Sequence, residues 1–599
     1  MLEPNARCAL HDVFRPPPGH AFDGGVLCTY SVSLPTLLSI PAALLVESPD
    51  DLDRVLSPEN APRLLAAVRR TFGRLVVFCE ESRIIAGQEL SPIVSDAEAV
   101  VREVRVRGGG AFHPKFWLLR FKTEDAKQPG RLRLAILSRN LTKDRSWDIG
   151  AVLDGEPAGE SGTSKTISNF LGALPALARR PLAPARLRLI RELAEQTQLT
   201  TWRAPAGLSD PVIHVAGFGN GWRPPANKCL AVFSPFLQAA AIKDLRHDTK
   251  RGLFLVSRPE AFDGIATVAK SSFERQYVLA RPAESADTPG NSEAGLHAKI
   301  YVWDHGRRTR IAIGSANATS SALDGHNVEM VLDMDCTAAV KGGVKALLEA
   351  TRLSKVVVEY EPQKSAEPQE GLPDTRRSRR LLIDSGLSLK CTATPDGVAI
   401  ALQPSTPLHA SMGRELLDLR FWPATCAANI QAPCLDALMQ GEPAPYPELL
   451  TLSQITGFIS FAVKTKEGSE TFALNLPVDG LSEADRRKAV ASSILPTEQS
   501  FLDFVRMLLG DARGLDVDPT TSDGQGSAVT RSRPSGLPGV LESLVKCAAD
   551  EPERLKSIEI AFDDLLSTKD VVPESFRLLW TELREATSRK RPTRPRRNS

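Results

Sequence analysis

An internal repeat constrains the fold of this 599-residue chain more than any other feature. The first copy runs through His113-Pro-Lys115, Ser138-Arg-Asn140-Leu-Thr142 and Asp148-Ile-Gly150-Ala-Val-Leu-Asp154. The second runs through His297-Ala-Lys299, Ser315-Ala-Asn317-Ala-Thr319 and Asn327-Val-Glu329-Met-Val-Leu-Asp333. A lone His-x-Lys carries little information, but two copies in one order with matching flanks are specific. We therefore expect two similar halves that each supply one histidine and one lysine.

The repeat resembles the HKD signature of the phospholipase D superfamily, which is His-x-Lys-x4-Asp followed by Gly-Ser-x-Asn and often by Asn-x-Glu. The second copy has every element, including Asp304, Gly314 and Glu329. The first copy has Arg120 in place of the aspartate, Leu137 in place of the glycine and Gly150 opposite Glu329. This form is similar to the tyrosyl-DNA phosphodiesterase branch, whose motifs also lack the aspartate. The resemblance covers roughly residues 25–360.

The resemblance implies an α/β fold in which two pseudo-symmetric αβα halves pack about a pseudo-two-fold axis, with both His-x-Lys segments at the seam. The pattern along the chain agrees with an α/β class. Short apolar runs such as Leu75–Cys79 and Leu253–Val256 are typical of buried strands, and helical segments lie between them. The residues after the halves predict a β-rich domain and then a C-terminal helical module.

The predicted organisation follows these changes of pattern and the Pro, Gly and Ser content of the connections. The segments are an extended N-terminal arm (1–28), the first phospholipase-D-like half (29–165), a helical bridge (166–205), the second half (206–360), a linker (361–386), a β-rich accessory domain with helices (387–510), a disordered linker (511–536), a helical module (537–587) and a basic tail (588–599).

Composition excludes several classes of protein. The formal net charge is +2, from 74 basic and 72 acidic residues, so any contact with nucleic acid must come from local patches. Nine cysteines without a Cys-x-x-Cys pair disfavour a disulfide framework or zinc site and indicate reduced thiols. There is no recognisable secretory signal and no apolar stretch of about 20 residues, so we expect a cytoplasmic protein without membrane association. No metal or other cofactor is predicted.

The paired residues suit phosphodiester cleavage without a metal. One imidazole can attack phosphorus and form a covalent phosphohistidine, while the other protonates the leaving oxygen and later activates water. By the resemblance, His113 is the nucleophile and His297 is the acid and base. On a strand, the i, i+2 spacing of His-x-Lys directs both side chains to one face. Donors to the phosphoryl oxygens are expected from Lys115, Lys299, Asn140, Asn317, Ser138 and Ser315.

A catalytic imidazole needs a partner on its second ring nitrogen. Glu329 is the expected partner of His297, its neighbour in the second copy. The first copy has Gly150 opposite Glu329, so His113 is left with Asp148, a main-chain carbonyl or no partner. This asymmetry keeps open the alternative that the pair is catalytically inactive.

The expected substrate is nucleic acid, with DNA favoured. Arg105 and Arg107 precede the first motif and are predicted to contact phosphate. The Arg376–Arg380 cluster is interpreted as a solvated hinge, with phosphate binding as the alternative. The predicted function is a metal-independent nuclease, and the layout resembles components of bacterial restriction or phage-defence systems that work beside a helicase. Two alternatives stay open: a phospholipase or phosphatidyltransferase, and a catalytically dead nucleic-acid-binding subunit.

Overall fold

The structure is a computed structural model of the chain. It describes residues 10–44, 56–123, 130–144, 146–157, 159, 161–265, 273–280, 295–306, 308–336, 343–345, 356–361, 376–408, 416–466, 468–509, 537–550, 555, 565 and 572–589. The predicted disordered linker 511–536, the start of the predicted arm and residues 590–599 of the predicted tail lie outside this set. Within the described part, no helix is both long and apolar enough to cross a membrane.

The N-terminal region forms a mixed sheet whose order, among the described residues, is β5-β3-β1-β6-β7-β8-β9. The elements are α1 (Leu10–Phe14), β1 (His20–Thr29), β2 (Val32–Ser33), α2 (Leu34–Ala43), α3 (Ala61–Phe72), β3 (Leu75–Glu80), β4 (Ile84–Ile85), β5 (Val101–Val104), β6 (Phe116–Thr123), β7 (Arg131–Leu137), β8 (Gly150–Pro157), α4 (Gly162–Leu177), α5 (Pro184–Gln198) and β9 (Thr200–Arg203).

The next region forms a second mixed sheet, ordered β10-β16-β15-β14-β11-β12-β13-β17 in the described part of the chain. The elements are β10 (Leu208–Ala216), β11 (Asn227–Phe233), α6 (Ala239–His247), β12 (Thr249–Val256), α7 (Pro259–Asp263), β13 (Arg275–Leu279), β14 (Ile300–His305), β15 (Arg308–Gly314), α8 (Ser320–Leu323), β16 (Glu329–Cys336) and β17 (Val357–Glu359).

Six strands of each sheet share their order and directions: β5-β3-β1-β6-β7-β8 correspond to β13-β12-β11-β14-β15-β16. In the first, β5, β3 and β1 are parallel and β6 to β9 continue antiparallel. In the second, β13, β12 and β11 are parallel and β14, β15, β16 and β10 continue antiparallel. The mixed α/β class predicted from the sequence is therefore confirmed.

Residues 20–28, which the sequence analysis assigned to an extended arm, form most of β1 near the centre of the first sheet. Two glycines permit this packing. A Cβ on Gly24 would lie 3.1 Å from the carbonyl oxygen of Arg74, and one on Gly25 would lie 2.9 Å from that of Leu118. Glycine here allows close approach of neighbouring strands, so it is not the signal of a loose connection.

Alternate residues of the central strands separate two apolar layers. Phe116 and Leu118 of β6 lie in one buried cluster with Ile300 and Val302 of β14, so this layer joins the two sheets. Trp117, between them in sequence, points to the opposite layer with helices α2 and α3. The two-residue period of a strand accounts for this division. The ends of β6 and β14 are thereby fixed close to each other.

The C-terminal region is built from two further sheets and helices. Its elements are α9 (Arg376–Asp384), β18 (Ser388–Thr394), β19 (Gly397–Gln403), β20 (Leu416–Pro423), β21 (Ala432–Pro433), α10 (Leu435–Gln440), β22 (Ala444–Pro445), β23 (Phe458–Thr465), β24 (Ser469–Asn475), β25 (Val478–Asp479), α11 (Glu483–Ile494), α12 (Glu498–Leu508), α13 (Leu537–Asp550) and α14 (Glu574–Arg589).

This region shares structure with the first sheet region. Strands β2 and β4 extend the sheet of β24, β23, β20 and β21, and α12 packs in the same apolar cluster as α3. Ser482 caps α11, because its hydroxyl accepts from the backbone N–H of Asp485 at 3.0 Å. The C-terminal region therefore buttresses the layer behind the first sheet.

A buried ion pair fastens the two regions. Glu98, just before β5, accepts from Arg486 of α11 at 2.9 Å and 3.0 Å, and from the backbone N–H of Gly457 at 2.8 Å. The side chains are only 15% and 8% exposed. Removal of one member would leave the other as a buried charge without its partner.

We expect Arg486→Ala to lower the free energy of unfolding by about 3 kcal/mol, because Glu98 would then be buried without its cation. Urea unfolding followed by circular dichroism measures the change in midpoint. The matched control is Arg420→Ala, which breaks an exposed pair with Asp418 and should change stability by less than about 1 kcal/mol. Equal midpoints for the two variants would contradict a fastening role for Arg486.

Candidate active site

The two His-x-Lys segments lie immediately before equivalent strands. His113 and Lys115 precede β6, and His297 and Lys299 precede β14. The sequence analysis placed them on the strands themselves, and the structure instead gives them to the extended chain that leads in. Lys115 and Lys299 are almost completely buried, with 0% and 1% of their surface exposed. The side-chain ammonium of each donates to the carbonyl of its own motif histidine.

His113 is held by a carboxylate of the other sheet. Its Nδ1 lies 2.8 Å from Oε2 of Glu329, at the start of β16. The Glu329 side chain is fully buried, whereas His113 is 14% exposed. An ionised carboxylate only accepts hydrogen bonds, so Nδ1 carries the proton and Nε2 keeps a free lone pair.

His297 is held in the reciprocal way. Its Nδ1 lies 2.8 Å from Oδ1 of Asp148, just before β8 of the first sheet. The expected pairing of Glu329 with His297 is therefore wrong, and the two carboxylates are exchanged between the sheets. Both histidines have a carboxylate partner, which removes the asymmetry inferred from the sequence.

Backbone hydrogen bonds support each of the two histidine–carboxylate contacts. The N–H of His113 donates to the carbonyl of Val328 at 2.9 Å, next to Glu329. The N–H of His297 donates to the carbonyl of Trp147 at 2.9 Å, next to Asp148. Each histidine segment thus runs beside the carboxylate segment of the opposite sheet, and the pairing is fixed by main chain as well as side chain.

Backbone hydrogen bonds show which residues of the two copies are structurally equivalent. The N–H of Ser138 donates to the carbonyl of Ile149, and the N–H of Ser315 donates to that of Met330. Asp148 and Glu329 directly precede these two acceptors, so they occupy equivalent positions. Matching the two Val-Leu-Asp stretches had placed Gly150 opposite Glu329, which is two residues out of register.

The motif serines donate hydrogen bonds to the two carboxylates. The hydroxyl of Ser138 donates to Oδ1 of Asp148 at 2.7 Å, and the hydroxyl of Ser315 donates to Oε2 of Glu329. Both serines are fully buried. A hydroxyl has one proton to donate, so neither serine is available to donate to a substrate oxygen in this arrangement. This differs from the substrate-binding role expected from the sequence.

The lysines share one electrostatic environment. Burial and the positive charge of Lys299 hold the pKa of Lys115 well below its usual range. Burial lowers the pKa of Lys299 to about 8, against the opposing effect of Asp148 and Glu329. Desolvation penalises a cation and a neighbouring cation penalises it further. An anion bound between the ammonium groups would relieve both effects.

Both imidazoles have pKa values below the ordinary value of histidine in the free protein. Burial lowers the pKa of His113 to about 4, although Glu329 opposes the shift. Burial and then Lys299 lower the pKa of His297. Burial raises the pKa of Asp148, but hydrogen bonds and charge from His297 and Lys299 outweigh it and leave that pKa below its usual value.

The motif asparagines present orphaned atoms. The side-chain oxygens of Asn140 and Asn317 are buried without a hydrogen-bond partner among the described residues. Equivalent hydroxyls position the two loops: Thr29 accepts from the N–H of Leu141, and Ser234 accepts from the N–H of Ala318, both at 3.0 Å. Buried amide oxygens without partners are uncommon, and each of these two is an acceptor that a hydrogen-bond donor would satisfy.

The remaining sequence-predicted residues lie elsewhere. Asp304 accepts from Thr309 at 3.0 Å within its own hairpin, so the aspartate of the signature is structural here. Arg105 pairs with Glu81 and Asp384, each at 2.6 Å, and Arg107 is exposed in a 3₁₀ turn. Of the Arg376–Arg380 cluster, Arg379 pairs with Glu470 at 3.0 Å, which is a docking contact of α9.

Three further residues were not found from the sequence. The ring of Tyr30 lies 5.1 Å from the imidazole of His113 and 5.7 Å from the ammonium of Lys115. Glu80 accepts from the N–H of Phe112 at 2.7 Å, and Arg258 donates to the carbonyl of Leu296 at 2.7 Å. Glu80 ends β3 and Arg258 follows the corresponding strand β12, but the two differ in chemistry, so the repeat gave no signal for them.

Comparison with known proteins gives remote likenesses only. No protein-family profile matches the chain, and no curated protein matches it in sequence. Among solved structures, yeast tyrosyl-DNA phosphodiesterase is similar over 56% of this chain and 87% of its own, at 10% identity and a TM-score of 0.34. Polyphosphate kinase from Porphyromonas gingivalis is similar over 63% of this chain and 50% of its own, at 12% identity and a TM-score of 0.29.

We expect Glu80→Gln to change the pH dependence of stability. Burial raises the pKa of Glu80 to about 7, so in the wild type stability is lost as pH rises from the unfolded pKa of about 4.5 to about 7. Glutamine stays neutral and keeps an acceptor for Phe112. The variant should therefore gain on the order of 2–3 kcal/mol over wild type between pH 4 and pH 8.

Thermal unfolding midpoints at the two pH values measure this gain. Glu89→Gln, at an exposed position, is the control and should show the same difference from wild type at both. A Glu80→Gln variant whose difference from wild type does not change with pH would contradict the buried, proton-binding state of Glu80.

Proposed function

We propose that the chain is a metal-independent phosphodiesterase of the phospholipase D superfamily that cleaves nucleic acid, with DNA as the favoured substrate. The observation that carries the proposal is the exchange of partners, in which Glu329 of one sheet orients His113 of the other and Asp148 orients His297. We further propose that the two sheets are pseudo-symmetric halves of one catalytic unit, which their common strand order supports.

In the first step of the proposed reaction, Nε2 of His113 attacks phosphorus. The bond from phosphorus to the leaving oxygen breaks, and that oxygen takes a proton from Nε2 of His297. The neutral state of His113 suits a nucleophile, since burial holds its pKa near 4. Lys115, Lys299 and the amides of Asn140 and Asn317 stabilise the non-bridging oxygens.

In the second step, His297 takes a proton from water, and the resulting hydroxide attacks phosphorus. The phosphorus–nitrogen bond to His113 breaks, and His297 then releases its proton to solvent as the product leaves, which returns the free enzyme. His297 must be protonated in the first step, although its pKa is lowered in the free protein. The negative charge of the bound phosphodiester raises that pKa, so substrate and proton enter together.

The alternative of a catalytically inactive histidine pair rested on the missing carboxylate of the first copy. Asp148 and Glu329 both contact a histidine at 2.8 Å, which supports an active pair. Nothing in the described residues favours the phospholipase alternative over the nuclease. The role in phage defence and the helicase partner stay predictions from the sequence.

The first test is cleavage of labelled single- and double-stranded DNA in excess EDTA. We expect wild type to cleave, and His113→Asn and His297→Asn each to lose about 1,000-fold or more, because each removes a group that forms or transfers a bond. A protein-bound phosphate that survives alkali should accumulate in His297→Asn and not in His113→Asn.

His247→Asn is the matched control, since its side chain is 89% exposed, and it should behave as wild type. Cleavage that stops in EDTA would contradict the two-histidine reaction. Label trapped in His113→Asn but not in His297→Asn would reverse the assigned roles.

A second test distinguishes the roles of Asp148 and Glu329 by comparing two substrates whose leaving groups differ in their need for a proton. Asp148→Asn weakens the proton donor His297, so it should lose about 100-fold on DNA and much less on a thymidine p-nitrophenyl phosphodiester, whose leaving group departs without a proton. Glu329→Gln weakens the nucleophile and should lose about equally on both substrates. Equal losses for Asp148→Asn on the two substrates would contradict its proposed link to the acid.

A further inference from the structure

An aromatic ring and an arginine stand together on each side of the two histidines. Tyr30 follows β1, and its ring centroid lies 5.0 Å from the guanidinium carbon of Arg83. Phe236 follows the equivalent strand β11, and its ring centroid lies 5.9 Å from the guanidinium carbon of Arg258. The two sheets thus supply two aromatic–arginine pairs from corresponding loops.

The same backbone device holds both loops. The hydroxyl of Thr29 donates to the carbonyl of Ser31 at 2.8 Å, and the hydroxyl of Ser234 donates to the carbonyl of Phe236 at 2.7 Å. These hydroxyls also accept from the loops that carry the motif asparagines. The aromatic residues are therefore fixed relative to the catalytic centre.

Each pair adjoins a different histidine. Tyr30 contacts the imidazole of His113 edge-on, with ring planes 66° apart. Arg258 donates to the carbonyl of Leu296, one residue before His297. Burial lowers the pKa of Arg258, while the charge of Asp148, the partner of His297, opposes the shift. The two pairs therefore lie on the two sides of the site, where a bound polymer could extend in either direction from the scissile phosphate.

Phe236 is 53% exposed, so part of its ring surface is open to a ligand although Arg258 lies over the ring. An exposed single apolar residue is common, but one beside a guanidinium and a catalytic centre suits a particular ligand. The flat face of a nucleobase stacks on an aromatic ring, and the adjoining phosphate suits an arginine. In a duplex the base faces are occupied by neighbouring bases, so only a single strand can use such rings.

We propose that the site binds single-stranded nucleic acid across both halves, with the base on one side of the scissile phosphate against Tyr30 and the base on the other side against Phe236. The inference rests on the proposed function and names its substrate form. The proposed enzyme is then an endonuclease, because it binds the nucleotides on both sides of the scissile phosphate.

The test compares a labelled ten-nucleotide thymidine strand with the same strand made abasic throughout, in EDTA. Fluorescence anisotropy measures binding, and gel electrophoresis measures cleavage. Wild type should prefer the thymidine strand by about 10- to 100-fold for each stacked base. Phe236→Ala and Tyr30→Leu should each reduce that preference by about 10-fold or more, while Tyr30→Phe keeps it.

Leu417→Ala is the matched control, because Leu417 is 54% exposed on a strand of the C-terminal region. It should retain the full preference, and annealing a complement should abolish tight binding by wild type. Equal affinity of wild type for the thymidine and abasic strands, or a preference untouched by Phe236→Ala, would overturn the inference. Preferred binding without cleavage would sustain this inference and defeat the proposed nuclease, whereas cleavage without base preference would do the reverse.

Discussion

The exchanged carboxylate–histidine contacts are the interaction on which the site depends. A carboxylate as deeply buried as Glu329 must be compensated by hydrogen bonds and opposite charge. Hydrogen bonds from His113 and Ser315, together with the positive charge of the nearby lysines, supply this compensation. The two lysines come from different parts of the chain. Orientation of the imidazole and satisfaction of the buried charge are thus achieved by the same contacts.

Charge balance connects this arrangement to the proposed chemistry. The two lysines and the two carboxylates have formal charges that cancel, although burial holds the pKa of Lys115 well below its usual range. A bound phosphodiester adds one negative charge, which one proton on His297 compensates. The depressed pKa values of the free protein describe a site that is ready for an anion, since the anion reverses the cause of the depression.

The sequence predicted the elements of the centre better than their connections. The repeat indicated both histidines, both lysines and both asparagines, because recurrence at fixed spacing is visible without a structure. The partner exchange was not visible, because it depends on how the two sheets face each other. Asp148 was named only as a possible partner of His113, because the similarity of the two Val-Leu-Asp stretches hid its equivalence to Glu329, which the backbone contact between Ser138 and Ile149 shows. Gly24 and Gly25 suggested an arm, yet they allow the close strand contacts of β1.

The exchange also affects how the protein is made. Glu329 follows His113 by 216 residues, so a nascent chain exposes its first motif well before the partner carboxylate has been synthesised. Contacts over such distances form slowly, since the intervening chain must be ordered first. A ribosome-bound first half therefore has an imidazole without its orienting carboxylate. The proposed phosphoryl transfer therefore requires that the segment carrying Glu329 has been translated and has docked against the first sheet.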